Sequence, residues 1–134
     1  MWLYQHTSEE FKPEDAEEYV GFVYMITHIP TGKKYIGKKL FTKAATKQVK
    51  GKKKKIRVAS DWEKYYGSNK VLQEEVIANG KDQYVREILH LCKSLSTCSY
   101  WETYEIFSRH ALMSAAYYNE WVTCKIRKAH VMPK

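Results

Sequence analysis

Two short β-type runs in the first third of the chain flank a turn. The runs Phe22–Thr27 and Lys34–Ile36 are rich in aromatic and β-branched residues, and a Pro-Thr-Gly segment lies between them. This pattern predicts an antiparallel hairpin. Each run contains one tyrosine, Tyr24 or Tyr35, and Gly37 with two lysines follows the second run.

The register of this hairpin decides which side chains share a face. With the loop at Ile29–Gly32, Ile26 pairs with Tyr35 and Tyr24 pairs with Gly37. The two tyrosines then lie diagonally on one face, within about 8 Å of each other. Because Gly37 has no side chain, we expect open space beside Tyr24 in which a ligand approaches the backbone.

A helix and a buried strand are predicted next. Ser68 or Asn69 is a good N-cap, and Asn79-Gly80 is a typical helix end. The run Tyr84–Leu91 is apolar on both sides and predicts a third, well-buried strand. The apolar side of the helix is expected to contain Val71, Leu72, Val76 and Ile77.

The longest predicted helix begins at Ser94, Ser96 or Thr97, which are all residue types that cap helices. An apolar stripe at i, i+4, i+7 and i+11 is predicted to face the core. The stripe consists of Tyr100, Tyr104, Phe107 and Ala111.

The order strand, strand, helix, strand, helix predicts an α+β fold in which helices flank a three-stranded antiparallel sheet. A chain of 134 residues is long enough for one core, so we expect a single domain over 1–134. Residues 1–20 are an acidic lead-in with a short helix at its Lys-Pro-Glu-Asp segment. Residues 41–60 are predicted to be a basic loop and 122–134 a basic tail.

Composition narrows the class of protein. The chain is 44% hydrophobic and 28% charged, which is typical of a globular domain. We see no signal peptide and no membrane-spanning run, so we expect no membrane partner. The three cysteines are odd in number and lack a Cys-x-x-Cys spacing, which favours a reducing cytoplasm and argues against a zinc site.

The net charge of +8 comes from one segment. No acidic residue occurs between residues 43 and 57, and the other 15 basic residues of the chain balance its 15 acidic ones. If this segment neutralises four to eight phosphates, the logarithm of the binding constant falls with log salt at a slope of roughly −4 to −7. The predicted nucleic-acid-binding residues are Lys43, Lys47, Lys50, Lys52, Lys53, Lys54, Lys55 and Arg57.

The hairpin resembles the signature of the GIY-YIG nuclease family. Gly-Phe-Val-Tyr at 21–24 and Tyr-Ile-Gly at 35–37 are its two halves, with Phe-Val in place of the first isoleucine. The resemblance covers roughly residues 20–120, with Glu102 on the long helix and Asn119 after it as downstream marks. It implies the family's small α+β core and a nuclease activity.

The resemblance also implies roles for individual residues. Tyr24 and Tyr35 correspond to the motif tyrosines, one of which acts as general base on the attacking water. Glu102 corresponds to the helix glutamate that holds a single divalent ion, Mg²⁺ or Mn²⁺. Lys38 occupies the position of an active-site lysine in some members, whereas alternation along the strand favours Lys39 as the residue on the Tyr35 face.

Other candidates have two interpretations. Glu105 rivals Glu102 as metal ligand, but Arg109 lies four residues later and makes an ordinary helix ion pair with it. Asn119 is either the asparagine that supports family sites or a turn residue. The family's phosphate-binding arginine has no match at its usual distance past Tyr35. Arg57, the only arginine between the hairpin and the next helix, is the catalytic candidate for that position if the lysine segment is an insertion that displaces it.

We therefore expect a stand-alone, divalent-metal-dependent endonuclease that hydrolyses phosphodiester bonds in double-stranded DNA. The compact length and the Ser-Asp-Trp, Tyr-Tyr-Gly-Ser and Tyr-Tyr-Asn clusters resemble small nucleases of tailed phages, some linked to homing. Such an enzyme would work in the host cytoplasm. The alternative is a non-catalytic nucleic-acid-binding module on the same scaffold, in which the tyrosines pack and stack on bases.

Overall fold

A computed structural model describes residues 1–133, which form seven strands, three α-helices and four short 3-10 helices. The strands are β1 (Trp2–Tyr4), β2 (Glu10–Phe11), β3 (Gly21–His28), β4 (Lys34–Leu40), β5 (Thr42–Val49), β6 (Lys52–Ala59) and β7 (Tyr84–Cys92). The α-helices are α1 (Lys70–Asn79), α2 (Leu95–Ser108) and α3 (Lys128–Val131). The 3-10 helices are Pro13–Ala16, Trp62–Lys64, Lys81–Gln83 and Ala111–Met113. The predicted domain and basic tail extend to Lys134, which lies outside the described residues.

The α+β class is confirmed, but the prediction of a three-stranded sheet is wrong. The main sheet has five strands in the order β2-β1-β7-β3-β4. The predicted strands β7, β3 and β4 are antiparallel, and β1 pairs with β7 in parallel. The two extra strands come from the acidic lead-in, where Trp2 pairs with both Phe11 and Arg86. The lead-in is helical only over Pro13–Ala16.

The prediction of a basic loop at 41–60 is also wrong. This segment is a separate two-stranded antiparallel ribbon, β5–β6, that turns at Lys50 and Gly51. Both turn residues have positive φ, the conformation that a two-residue hairpin turn requires. The β pattern was hidden because lysines occupy both faces of the ribbon and interrupt the alternation by which a strand is recognised.

Alternation along β3 divides the core into two layers. Phe22, Tyr24 and Ile26 are fully buried on one face, in an aromatic cluster that includes α1. Val23 and Met25 are buried on the other face against α2. The sheet therefore lies between α1 and α2, and its two faces belong to different cores.

Helix α1 begins and ends as predicted. The Leu72 amide donates to Asn69 Oδ1 at 3.0 Å, and the helix ends at Gly80 with φ +95°. The predicted apolar side is only half right, since Leu72 and Val76 are buried whereas Val71 and Ile77 are exposed.

Helix α2 begins after Ser94, whose side chain accepts a hydrogen bond from the Thr97 amide. Most of the predicted core stripe faces the wrong way: of its four residues only Ala111 is buried, and it lies in the 3-10 helix that follows α2. Tyr100, Tyr104 and Phe107 are 41%, 50% and 57% exposed and line a surface groove with the C-terminal segment. The buried residues of α2 are Cys98, Glu105 and Ile106. Between residues 1 and 133, no helix has both the length and the apolar character of a membrane span.

Candidate active site

A cavity of about 470 Å³ lies at the edge of the sheet, beside β4. Side chains from both layers reach it because an edge strand leaves both of its faces accessible at the rim. Tyr35, Tyr65 and Ser68 line it from the α1 side. Lys38 and Glu102 line it from the α2 side.

The Tyr24–Gly37 pair joins the two halves of the site. A Cβ atom on Gly37 would lie 2.3 Å from the Tyr24 hydroxyl, so only glycine permits the ring to lie across β4. The expected open space beside Tyr24 is therefore occupied by its own phenol. That hydroxyl is fully buried and has no hydrogen-bond partner within the described part of the chain.

Three tyrosines meet on this face. The ring centroids of Tyr24 and Tyr35 are 6.2 Å apart, which confirms the diagonal placement, and Tyr65 lies 5.9 Å from Tyr24. The Tyr35 hydroxyl is 2.9 Å from Ser68 Oγ. Burial raises the pKa of Tyr24 well above its ordinary value. Burial also raises the pKa of Tyr35, although its hydrogen bond to Ser68 opposes the rise.

Glu102 points into the site from α2. Its side chain is 17% exposed, and its Oε1 lies 3.9 Å from Lys38 Nζ. Burial raises the pKa of Glu102 above its ordinary value, although the Lys38 charge opposes the rise. The negative charge of Glu102 also raises the pKa values of Tyr24 and Tyr35. Such an effect requires short distances, so the carboxylate lies near both phenols.

The two lysines after the motif lie on opposite faces of β4. Lys38 donates a hydrogen bond to Ser99 Oγ at 2.7 Å on the α2 side. Lys39 lies on the Tyr35 face, as alternation predicted, with its ammonium 4.0 Å from the Tyr65 ring centroid. Lys39 also pairs with Asp61 at 2.7 Å, and this hydrogen bond lowers the pKa of the carboxyl.

Glu105 has both carboxylate oxygens occupied. His90 Nε2 lies 2.8 Å from its Oε1, and Arg109 Nε donates to its Oε2 at 2.8 Å. The predicted ion pair with Arg109 is therefore present, and these hydrogen bonds lower the pKa of Glu105 against the opposing effect of burial. Glu102 has no such set of partners.

Asn119 lies on the rim of the cavity and bonds to the edge strand. Its Oδ1 accepts from the Ile36 amide at 3.0 Å, and its Nδ2 donates to the Ile36 carbonyl at 2.8 Å. The side chain thus provides β4 with the two hydrogen bonds that a neighbouring strand would supply, one residue before Gly37.

We expect the Asn119→Ala change to lower the free energy of unfolding by about 1–3 kcal/mol, because two partly buried backbone groups lose their partners. Urea denaturation followed by circular dichroism measures this loss. Asn119→Asp is the comparison variant, since it keeps the acceptor for the amide and replaces the donor with a charged oxygen that faces the Ile36 carbonyl. A stability unchanged in both variants would contradict the bracing role.

Arg57 does not reach the cavity. It lies on β6, and its guanidinium donates to the Thr42 hydroxyl at 3.1 Å and to the Thr42 carbonyl at 2.8 Å. It lines a neighbouring groove together with Lys38 and Lys39. The cationic groups nearest the cavity are therefore lysines, which grip phosphate as point charges.

Sequence reasoning missed several residues around the site. Ser68 and Ser99 form hydrogen bonds with Tyr35 and Lys38. No sequence pattern identifies such a role for a serine, although Ser68 ends the Tyr-Tyr-Gly-Ser cluster. Arg86 is a 4% exposed cation whose Nη1 donates to the Tyr65 carbonyl at 2.9 Å. Its position inside a strand predicted to be buried could have identified it, because an arginine is almost never buried unless its charge is paired or hydrogen-bonded.

The residues present are suited to one hard divalent cation. Glu102 supplies a partly buried carboxylate without strong hydrogen bonds, and the unpartnered Tyr24 hydroxyl lies nearby. A magnesium ion accepts such a site because it keeps several waters and takes one or two carboxylates. Residues 1–133 contain no cluster of three or more histidine, cysteine or acidic side chains, so an all-protein cage is not what the chain offers.

Comparison with known proteins agrees with this geometry. A family model described as "Putative endonuclease segE, GIY-YIG domain" matches residues 2–122, which include the hairpin, Glu102 and Asn119. Searches of curated proteins and of solved structures give no significant match. The match extends over the whole described core, and the chain therefore belongs to the SegE-type GIY-YIG family of DNA-cleaving endonucleases.

Proposed function

We propose that this protein is a divalent-metal-dependent endonuclease that cuts double-stranded DNA at the edge of β4. The observation that carries the proposal is the convergence of Glu102, Tyr35 and Lys38 on one cavity, with the buried Tyr24 packed behind Tyr35. Glu102 holds a single Mg²⁺ or Mn²⁺ ion. When bound there, the ion would act as a Lewis acid that stabilises negative charge on the phosphate oxygens.

Tyr35 is the better candidate for the proton acceptor. Its hydroxyl lines the cavity and is oriented by Ser68, whereas the Tyr24 hydroxyl is buried beneath Gly37. Because burial raises its pKa, Tyr35 is protonated at neutral pH. To act as the base it must first release its own proton to solvent, which positive charge in the cavity favours, and the phenolate then takes the proton of the attacking water. Lys38 lines the same cavity, and a bound divalent ion would add to its positive charge, whereas Lys39 lies on the Tyr35 face but is paired with Asp61.

The remaining residues position the strand and the substrate. Tyr24 packs under Gly37 and beside Tyr35, and so fixes the position of β4 at the cavity. Asn119 braces β4 through Ile36. Lys38 faces the scissile phosphate, while Arg57 and the lysines of the ribbon contact the duplex farther along.

Plasmid cleavage tests the proposal. Supercoiled plasmid incubated with the protein is expected to be nicked or linearised with Mg²⁺ or Mn²⁺, and to stay supercoiled when EDTA is added. The ratio of rates with and without metal measures the dependence. Cleavage that persists in EDTA would contradict the metal dependence, and binding without cleavage under every metal condition would favour a non-catalytic module.

A further inference from the structure

The β5–β6 ribbon carries a positive charge that the protein does not compensate. Eight cationic side chains and no carboxylate occur within it. Lys47 lies directly opposite Lys54, and like charges at paired positions destabilise a sheet. None of the ion pairs formed among residues 1–133 includes a ribbon residue. A polyanion is the partner that would relieve this repulsion.

The two faces of the ribbon differ. The Ile56 face has a half-buried apolar base, in which Ala45 pairs with Ile56 and Lys43 pairs with the half-buried Val58. The other face, called here the Gln48 face, is exposed along its length except at Thr42. The Gln48 face consists of Thr42, Ala44, Thr46 and Gln48 on β5 and of Lys53, Lys55, Arg57 and Ala59 on β6.

The Gln48 face is continuous with the active site. Its base, at Thr42, Ala44 and Arg57, lines one groove together with Lys38 and Lys39. Lys38 also lines the cavity that contains Glu102. A nucleic acid whose phosphate enters that cavity would therefore continue onto this face of the ribbon.

We propose that the ribbon lies in the major groove of duplex DNA next to the cut position and that the Gln48 face reads the base edges there. Paired strands are about 4.8 Å apart and eight residues span about 26 Å. The major groove is about 12 Å wide and admits a two-stranded ribbon, whereas the minor groove is about 6 Å wide. The inference rests on the proposed function for its DNA substrate.

The side chains on this face match the hydrogen-bonding pattern of the groove. Gln48 carries an amide, which pairs with adenine N6 and N7, and Lys53 directly opposite it donates to guanine O6 and N7. Thr46, opposite Lys55, offers a hydroxyl and a methyl group for either base. The remaining lysines contact phosphates and contribute affinity without sequence information.

Metal-free binding separates this inference from catalysis. In EDTA, the full chain is used to select its best-bound duplex from a random-sequence pool, and binding is followed by gel shift. Methyl green, a major-groove ligand, is expected to displace the protein, and the minor-groove ligand distamycin is expected not to. Replacement of guanine by 7-deazaguanine or of the duplex by RNA of the same sequence, whose major groove is too deep and narrow, should weaken binding.

The second arm removes the proposed base contacts. The Thr46→Ala, Gln48→Ala double variant is expected to lose about tenfold or more of the preference for the selected duplex over random duplex. Its salt dependence should stay the same. Val49→Ala, on the opposite face of the same strand, is the matched control and should keep the preference. Retention of the preference in the double variant would overturn the inference, as would displacement by distamycin alone.

A third variant isolates the phosphate contacts. Replacing Lys52 and Lys54, the β6 lysines that lie on the other face, with glutamine should reduce the magnitude of the salt slope by about two. If the slope is unchanged, these lysines only keep the ribbon edges from associating with other chains, and the inference fails. Sequence-dependent, groove-dependent binding in a protein that never cuts would instead contradict the proposed function and leave the ribbon inference standing.

Discussion

Glu102→Gln is expected to abolish metal-dependent cleavage, by at least about a hundredfold, while DNA binding in EDTA is retained. The amide keeps the shape of the side chain but loses the charge that holds a divalent cation, and such a cation contributes several kcal/mol to catalysis. Single-turnover cleavage of a labelled duplex, with gel shift in EDTA, measures both quantities. Cleavage within a few-fold of the wild type would show that another group binds the metal.

The same variant should not lose stability. Because burial raises the pKa of Glu102, its ionised form opposes folding at neutral pH, and this carboxyl contributes most to stability when it is protonated at low pH. Removing the charge is therefore expected to leave the melting temperature at pH 7 unchanged or higher. A clear drop in melting temperature would indicate a structural ion pair with Lys38 instead.

Two control variants distinguish loss of the proposed metal ligand from loss of fold stability. Glu74→Gln, at an exposed position on α1, should change neither cleavage nor melting temperature. Glu105→Gln should lower the melting temperature, because His90 and Arg109 lose a charged acceptor, while the folded protein still cuts.

The raised pKa of Glu102 also predicts that the cleavage rate falls on the acid side at a higher pH than it would with a glutamate of ordinary pKa.

Gly37→Ala is expected to destabilise the fold by about 1–3 kcal/mol and to reduce cleavage by about a hundredfold. The added methyl group would lie 2.3 Å from the Tyr24 hydroxyl and 2.6 Å from the ring carbon that bears it. The phenol is fully buried and cannot move away, so β4 must shift and displace Tyr35 and Lys38 from Glu102. Urea denaturation and plasmid cleavage at saturating Mg²⁺ measure the two losses.

Gly32→Ala is the matched control for this prediction. Gly32 lies in the turn of the same hairpin with φ +73°, and no atom lies within 4 Å of the position its Cβ would take. Its replacement costs backbone strain of about 1 kcal/mol and should leave cleavage by the folded protein unchanged. An active, fully stable Gly37→Ala protein would show that contact between Tyr24 and β4 is dispensable.

The hairpin and its register could be predicted from sequence because the loop length and strict alternation leave few arrangements. Tyr24 opposite Gly37 and Lys39 on the Tyr35 face follow from counting alone. Asn69 and Gly80 mark the ends of α1 by local chemistry that does not depend on tertiary structure.

The orientation of α2 could not be predicted from hydrophobicity. Its buried side contains Glu105, which is paired with Arg109 four residues later and with His90 on β7, and the partly buried Glu102. Its exposed side contains Tyr100, Tyr104 and Phe107. Hydrophobic periodicity identified the wrong face of α2 because carboxylates lie on its inner side and aromatic residues on its outer side.

Pairing between segments distant in sequence explains the other differences between the predicted and the observed fold. The parallel contact of β1 with β7 brings Leu3 beside Glu87, and nothing near residue 3 indicates a partner so far along the chain. The ribbon is held by backbone hydrogen bonds between residues that carry like charges, so side-chain composition argues against the strands that are present. Arg57 was expected at the cavity, but pairing opposite Ala44 commits it to the ribbon.

The division of the sheet into two cores has a consequence for loss of activity under stress. Glu102 is anchored in one layer and the tyrosines in the other, and they meet only across the rim of β4. In a Trp101→Phe variant, which removes the tryptophan of α2, partial melting that separates α2 from the sheet would stop cleavage while Trp2 and Trp62 of the aromatic layer still give a native fluorescence signal. The cleavage rate should therefore be lost at a lower denaturant concentration than the midpoint of the tryptophan fluorescence transition. Cleavage is then the more sensitive measure of the intact fold.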